Sequence, residues 1–472
     1  MEKEYLYLEI SRNLAHLIRQ QALQPGDRLP SVRMLCREHG ISMNTAKRVF
    51  LELEGQSLIE SRPQSGYFVS HQRHRTLPLP EISRPAPAFS EEEPVPLINK
   101  VYSHMGQPDL DLTLFSIGVP SEALLPVARL NKEMIKAMRS LSGSGTAYEP
   151  LPGNEKMRRA VARRSYTWGG HLQPDDIITT AGGMNALSFC MMATTKPGDT
   201  IAVESPVYHG ILQLARSLGL RVMELPTHPQ TGVDITALEK AIPDIHCCLL
   251  VSNFNTPLGS CMPDSHKKAV VELLAQHHIP LIEDDLYGDL YFGSSRPKCC
   301  KAFDKTGTVL WCSAISKTLA PGYRVGWVAP GIYKEQVLKL KLVHAISSSA
   351  ITQEVVAGFL ESGRYENHLR NMRQTLQANC QHYMAAIAEY FPAGTKVSRP
   401  QGGLTLWVEL PGINTTDLYN VAIRQKISIA PGRIFTLQNQ FENCMRLCMG
   451  LPWSEELKRK LKQLGKLAGM LQ

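Results

Sequence analysis

Between Arg75 and Pro96 the chain reads RTLPLPEISRPAPAFSEEEPVP, a run with six prolines and neither a helical nor an alternating period. Proline removes an amide donor and favours extended conformations, so such a stretch joins folded regions rather than forming the middle of one. The 472 residues are also too many for one ordinary core. The expected organisation is a small domain over 1–72, a Pro-rich linker over 73–109 acting as a semi-rigid spacer, and a large domain over 110–472.

Bulk properties exclude several classes. Hydrophobic residues make up 43% and charged residues 20%, a globular balance rather than a disordered one. The longest apolar runs, such as Cys247 to Val251, are too short to span a bilayer, and the start Met-Glu-Lys-Glu is charged at once. A cytoplasmic protein with no signal peptide and no membrane partner is expected. The eleven cysteines are odd in number, include the adjacent pairs Cys247-Cys248 and Cys299-Cys300, and show no C-x-x-C spacing. Free thiols are expected, with neither a disulfide framework nor a metal site. The formal charge of +8 suggests an acidic partner without naming one.

In the small domain Leu6, Ile10, Leu14 and Ile18 recur every four residues, the stripe of an amphipathic helix. Pro25-Gly26-Asp27 turns the chain, and Ser31 is placed to cap a second helix that Gly40 ends. Ser42 is placed to cap a third, with Val49, Phe50 and Leu53 facing inward. Leu58 to Arg62 and Tyr67 to Val69 then form a short hairpin about a turn at Pro63 to Gly66. Two helices joined by His39 to Ser42 and followed by a hairpin make a winged helix-turn-helix. Asn44, Thr45 and Lys47 at the third helix's start offer amide, hydroxyl and ammonium groups to a DNA groove, and Arg28 and Arg33 suit phosphates.

The elements P-G-D-x-L-P-S-x-R, S-x-N-T and S-G-Y-F-V stand here in that order, and residues 1–70 closely resemble the GntR-type winged helix. The resemblance implies a double-stranded DNA operator as partner, with Arg33, Asn44, Thr45, Lys47 and Gly66 at its surface. Met43 stands near the place where that family usually carries a basic residue.

In the large domain, compact apolar runs at Thr200–Val203, Cys248–Val251, Pro280–Glu283 and Val309–Cys312 alternate with helical stretches. The pattern implies a mainly parallel sheet covered by helices, with chemistry at the strand ends. Three strand ends stand out. Gly182-Gly183-Met184 entering a helix exposes amides to a phosphate, or is an ordinary turn. Glu283-Asp284-Asp285-Leu286-Tyr287 places carboxylates that hold a pyridine nitrogen protonated, bind a metal or cap a helix. Ser316-Lys317 offers an amine to an aldehyde, and Arg324, seven residues on, suits a phosphate dianion.

With S-K-T-L-A-P-G-Y-R-V-G-W in place, residues 110–472 resemble the fold-type I aminotransferases along nearly their whole length. That implies an α/β fold and pyridoxal 5'-phosphate as cofactor. Carried over, Lys317 forms the Schiff base, Gly183 and Met184 give phosphate amides, and Arg324 meets the phosphate. Tyr208 stacks on the ring, Asp284 pairs its nitrogen and Tyr287 its phenolate oxygen. Arg446 receives a ligand carboxylate, and Tyr148 reaches a neighbouring subunit's phosphate, so a homodimer is implied. Two departures stand out: threonine precedes the proline in Asn255-Thr256-Pro257-Leu258-Gly259, where that family usually has asparagine, and Ala314 replaces a common serine. Asn255 and Ser316 are the neighbouring candidates for those cofactor contacts.

A GntR-type head on an aminotransferase-like body resembles the MocR subfamily of regulators. The resemblance implies a transcriptional regulator that senses an amino acid or amine by external aldimine formation. The alternative is an active aminotransferase with an accessory N-terminal domain.

Overall fold

The computed structural model describes residues 6–20, 22–55, 58–62, 65–70, 77–86, 94–104 and 112–472. The chain forms two compact units: Met1–Leu77 with Ala378–Ala393 and Trp453–Gly469, and Pro78–Gln377 with Gly394–Pro452 and Met470–Gln472. No helix among the described residues is long and apolar enough to cross a membrane.

The first unit contains α1 (Leu6–Arg19), α2 (Val32–His39) and α3 (Met43–Gly55), then β1 (Ile59–Arg62) paired antiparallel with β2 (Gly66–Val69). The caps are those the serines suggested. Ser31 Oγ accepts the Met34 amide at 3.2 Å, and Ser42 Oγ accepts that of Thr45 at 3.1 Å. Gly40 ends α2 at φ 61°. Ile10, Leu35, Val49, Phe50 and Leu53 close a core with Ile59 and Val69 of the hairpin. Phe50 stacks on Tyr67 at 4.3 Å, which ties the third helix to the wing. A third strand-like contact comes from the turn after α1, where the Leu29 amide bonds Tyr67 O at 2.9 Å. In the same unit Trp453, just before the helix Glu455–Met470, stacks on His382 at 4.9 Å.

The second unit opens with a correction to the spacer reading. Residues 78–86 lie against this unit instead of standing off as a semi-rigid spacer: Glu81 pairs with Lys396 at 2.7 Å, and Ser83 Oγ accepts the Thr227 amide at 2.8 Å. Ala86 N donates to Gln438 Oε1 at 2.7 Å. A helix, Val95–Tyr102, then forms with Ile98 and Val101 buried. Pro96 is tolerated there because the first helical turn needs no amide donor. Two apolar residues three apart are too short a stripe to stand out from sequence.

A short strand β3 (Thr113–Leu114) pairs parallel with β14 (Ile427–Ser428). The main sheet has eight strands: β4 (Ile178–Thr180), β5 (Thr200–Ser205), β6 (Arg221–His228), β7 (Gly232–Val233), β8 (Cys247–Leu250), β9 (Leu281–Asp284), β10 (Val309–Ala314) and β11 (Gly326–Ala329). Their spatial order is β4-β11-β10-β9-β8-β5-β6-β7. β10, β9, β8, β5 and β6 are parallel, as their continuous apolar text suggested, whereas β11 and β7 run antiparallel to their neighbours. A smaller sheet holds β12 (Lys396–Val397), β13 (Thr405–Glu409), β16 (Cys444–Cys448) and β15 (Ala430–Pro431) in that order. All eleven cysteines are free thiols, nine of them buried.

Because β4, β5, β8, β9 and β10 point the same way, their C-terminal ends meet at one edge of the sheet. Gly183, Tyr208, Thr256, Asp284 and Lys317 all stand at or just after those ends, where the fold class places its ligands.

Candidate functional site

Three adjacent acids follow β9, and their partners distinguish them. Glu283 accepts the Cys300 and Lys301 amides at 2.6 and 2.9 Å. Asp285 is bound by Arg296, by Trp311 Nε1 at 3.0 Å and by Asn253 Nδ2 at 3.0 Å. Asp284 alone of the three has no side-chain partner among the described residues, only the Leu286 amide. Burial first, and the neighbouring Asp285 second, push its carboxyl up to about 7. Lys317 offsets only part of that rise, and no ion pair to Asp284 forms among the described residues, so the carboxyl has room for a cationic partner.

Lys317 follows β10 in a short 3-10 turn, and its Nζ donates to Gly118 O at 2.7 Å. Burial, then the guanidinium of Arg446, bring its amine down to about 8. Arg446 lies in β16, is fully enclosed, and sits 5.0 Å from the centre of the Phe435 ring. Its Nη2 donates to Ser116 O and, at 3.2 Å, to the hydroxyl of Tyr102. Gly118 touches both groups: its carbonyl takes Lys317 Nζ, and its Cβ position lies at ordinary contact distance, 3.4 Å, from Arg446 Nη1.

Gly182 adopts φ 96° and lies between Gly326 and Arg324; a Cβ on it would fall 2.8 Å from the guanidinium carbon of Arg324. Arg324 is in turn held by Ala181 O at 3.3 Å and Pro321 O at 3.4 Å. The helix Gly183–Thr194 starts beside it with no side-chain cap, so the amides of Gly183 and Met184 remain in its first turn without helical partners.

Tyr287 is buried and Tyr208 half-buried at this edge, and loss of water pushes both phenols up. Asp284, Arg324 and Arg446 act electrostatically on Tyr208, and Asp284 and Arg446 on Tyr287, so these groups share one site. Asn255 is committed elsewhere, since its Nδ2 donates to buried Glu204 at 2.8 Å. The next residue, Thr256, has a buried Oγ1 without a hydrogen-bond partner, and so does Ser316. Tyr148 stands apart at 80% exposure. Tyr102, Ser116, Gly118 and Thr256 were not among the sequence candidates. Nothing in the chain marks the first three, which lie far from Lys317 and Arg446 in sequence.

In the small unit Arg28, Arg33, Lys47 and Gly66 are exposed and Thr45 is half-buried. Gly66 has φ 103°, and a Cβ there would meet the Arg28 guanidinium at 3.7 Å. Asn44 lies in the first turn of α3, but its side chain is outside the described residues, as are Pro63 and Gln64 of the wing turn.

Residues 111–464 match the family Aminotransferase class I and II, and residues 6–69 match Bacterial regulatory proteins, gntR family. The chain belongs to the MocR-type GntR regulators. This regulator is 39% identical to the uncharacterized HTH-type transcriptional regulator YjiR of Escherichia coli, over 97% of this chain and 98% of that one. It is 34% identical to a second E. coli protein, the uncharacterized HTH-type transcriptional regulator YdcR, over 98% of each. The multiple substrate aminotransferase of Thermococcus profundus superposes with a TM-score of 0.73 at 23% identity, covering 79% of this chain and 94% of that one, and shows the same fold. The regulator is thus a DNA-binding protein whose body depends on pyridoxal 5'-phosphate. The site fits that group: a glycine cradle under a guanidinium for the phosphate, buried hydroxyls at Thr256 and Ser316 without a partner among the described residues, an acid with no ion-pair partner among them and an amine of lowered pKa.

Proposed function

We propose that this regulator senses an amino acid or amine through its aminotransferase-like body and transmits that binding to a double-stranded DNA operator. The observation that carries the reading is the placing of Lys317 and Arg446 both against Gly118, an amine and a carboxylate receptor set side by side in a chain that also bears a winged helix.

In this reading the cofactor, once bound, supplies an aldehyde for amines and an electron-withdrawing ring. Lys317 would be the residue that holds that aldehyde, its amine lying at the end of β10 within reach of the same cleft as Arg446. Asp284 would keep the ring nitrogen protonated, Tyr208 would offer an aromatic face to the ring, and Tyr287 and Thr256 would offer hydroxyls to its phenolate oxygen. Gly183, Met184, Ser316 and Arg324 would seat the phosphate. Asn255 serves by holding Glu204 and orienting the loop that bears Thr256. Arg446 takes the ligand's carboxylate. The ligand thereby changes which groups are paired in the cleft, and that differential binding shifts the protein between arrangements.

At the DNA end, Arg28 and Arg33 suit phosphates, and Asn44, Thr45 and Lys47 open the recognition helix. Gly66 gives the wing its close approach. The exposed ring of Tyr148 supports a homodimer in which it reaches the partner's phosphate site, and the domains of the working protein are 1–72, 73–109 and 110–472. Its place is the cytoplasm.

Titrating the yellow holoprotein with amino acids and amines tests the reading: a ligand that changes the visible spectrum is expected to change operator affinity with it. Sustained keto-acid production from an amino donor, with no salt-sensitive DNA binding, would overturn it in favour of an aminotransferase.

A further inference from the structure

Arg446 is the expected receptor for a ligand carboxylate, yet its hydrogen-bonding capacity is partly spent. A guanidinium offers a carboxylate two forked edges, Nη1/Nη2 and Nη2/Nε, and Nη2 belongs to both. Here Nη2 already serves Ser116 O and the Tyr102 hydroxyl, while Nε is buried without a partner. A carboxylate arriving on either edge therefore meets one of those two oxygens. They are not equivalent. Ser116 O is a backbone carbonyl with no proton to give, so it only repels the incoming oxygen. The Tyr102 hydroxyl accepts from Arg446 and still carries a proton, for which no acceptor stands among the described residues.

We propose that Tyr102 is an effector-binding residue: its hydroxyl donates to the carboxylate that Arg446 receives, so that the ligand is held by a guanidinium and a phenol together. The inference rests on the sensing reading above and deepens it by naming an α-amino acid, rather than a simple amine, as the ligand class. The Tyr102 ring is positioned for this from its far side. It packs against His209 with ring centres 4.4 Å apart, and His209 packs against Tyr208 at 4.5 Å, so the three rings form one wall. His209 is a positioning residue in that wall.

Tyr102 ends the helix Val95–Tyr102, which lies between the residues matched as regulatory domain and those matched as aminotransferase. The segment that connects the two thus contributes directly to ligand recognition.

The test is Tyr102→Phe holoprotein, which keeps the ring and removes only the hydroxyl. Its visible spectrum and that of the unmodified protein are titrated with the common L-amino acids and, for each, the amine lacking the carboxylate. Losing a hydrogen bond to a charged group weakens binding by about tenfold or more. The dissociation constant for the responding amino acid is therefore expected to rise by that factor, with the constant for its paired amine unmoved. Thermal unfolding checks that the ring wall survives. Equal weakening of both ligands would make Tyr102 merely structural, and no weakening of either would remove it from the site. An unmodified protein that answers no amino acid would defeat the sensing reading itself, and this inference with it.

Discussion

The amine of Lys317 and the guanidinium of Arg446 both lie against Gly118, whose carbonyl accepts the Lys317 Nζ at 2.7 Å and whose Cβ position is 3.4 Å from Nη1. Two cationic groups this close do not both stay charged cheaply in a buried site. Arginine keeps its proton and lysine yields, which turns a structural ammonium into a nucleophile near physiological pH.

That relation sets a pH dependence. With its amine at about 8, Lys317 is neutral above that value and protonated below it. When apoprotein is mixed with pyridoxal phosphate, the rate at which the yellow chromophore appears should rise with pH through a midpoint near 8. Arg446→Met removes the second-largest cause, after burial, and should move the midpoint upward, towards the ordinary lysine range. A stopped-flow pH series checks both, and an unmoved midpoint in the variant would break the link.

Asp284 gives a stability prediction with the opposite sign from an ordinary carboxylate. Its carboxyl is pushed up to about 7 from an ordinary 3.8, so between those values the folded apoprotein holds a proton that the unfolded chain has lost. Apoprotein stability from this group is therefore full below pH 4 and falls as pH rises towards 7, by up to about 4 kcal/mol. Asp284→Asn should melt above the unmodified apoprotein at pH 8, with the gap closing by pH 4, while its affinity for the cofactor drops. Equal melting temperatures of the two apoproteins at pH 8 would show the carboxyl carries no such burden.

Gly182 leaves no space for a side chain. Alanine there meets an unfavourable φ of 96° and presses on the Arg324 guanidinium, a strain of about 1–3 kcal/mol. Gly182→Ala is expected to lower pyridoxal phosphate affinity about 5- to 150-fold where that strain is taken up by displacing Arg324. Pyridoxal, which lacks the phosphate, should lose far less. Fluorescence titrations with the two compounds separate a damaged phosphate seat from general misfolding, because only the former discriminates between them.

On the DNA side, Arg33→Ala and Lys47→Ala should each weaken operator binding and flatten its salt dependence by about one unit of log–log slope, the loss of one phosphate contact. The visible spectrum of the holoprotein should be unchanged in both. A slope equal to that of the unmodified protein would remove the residue from the interface.

Much of this was legible in the chain itself, for local reasons. Helix caps act over three residues, so Ser31 and Ser42 announced α2 and α3, and Gly40 announced the end of α2. The parallel strands showed as continuous apolar runs because both their faces are covered. Asp284, Lys317 and Arg324 could be nominated because each sits at or near a strand end in an ordered string of motifs, and Arg446, in the middle of β16, through the family resemblance alone.

Tertiary structure alone decided how those nominees differ. Glu283, Asp284 and Asp285 are adjacent and alike in text, and only the arrival of the Cys300 and Lys301 amides at one and of Arg296 at another leaves Asp284 as the carboxyl with room for a cationic partner. The helix ending at Tyr102 was hidden in proline-rich text, and its hydroxyl reaches Arg446 from 344 positions away. A sequence encodes local propensity directly, whereas desolvation and hydrogen-bond partnership arise only when distant segments are packed together.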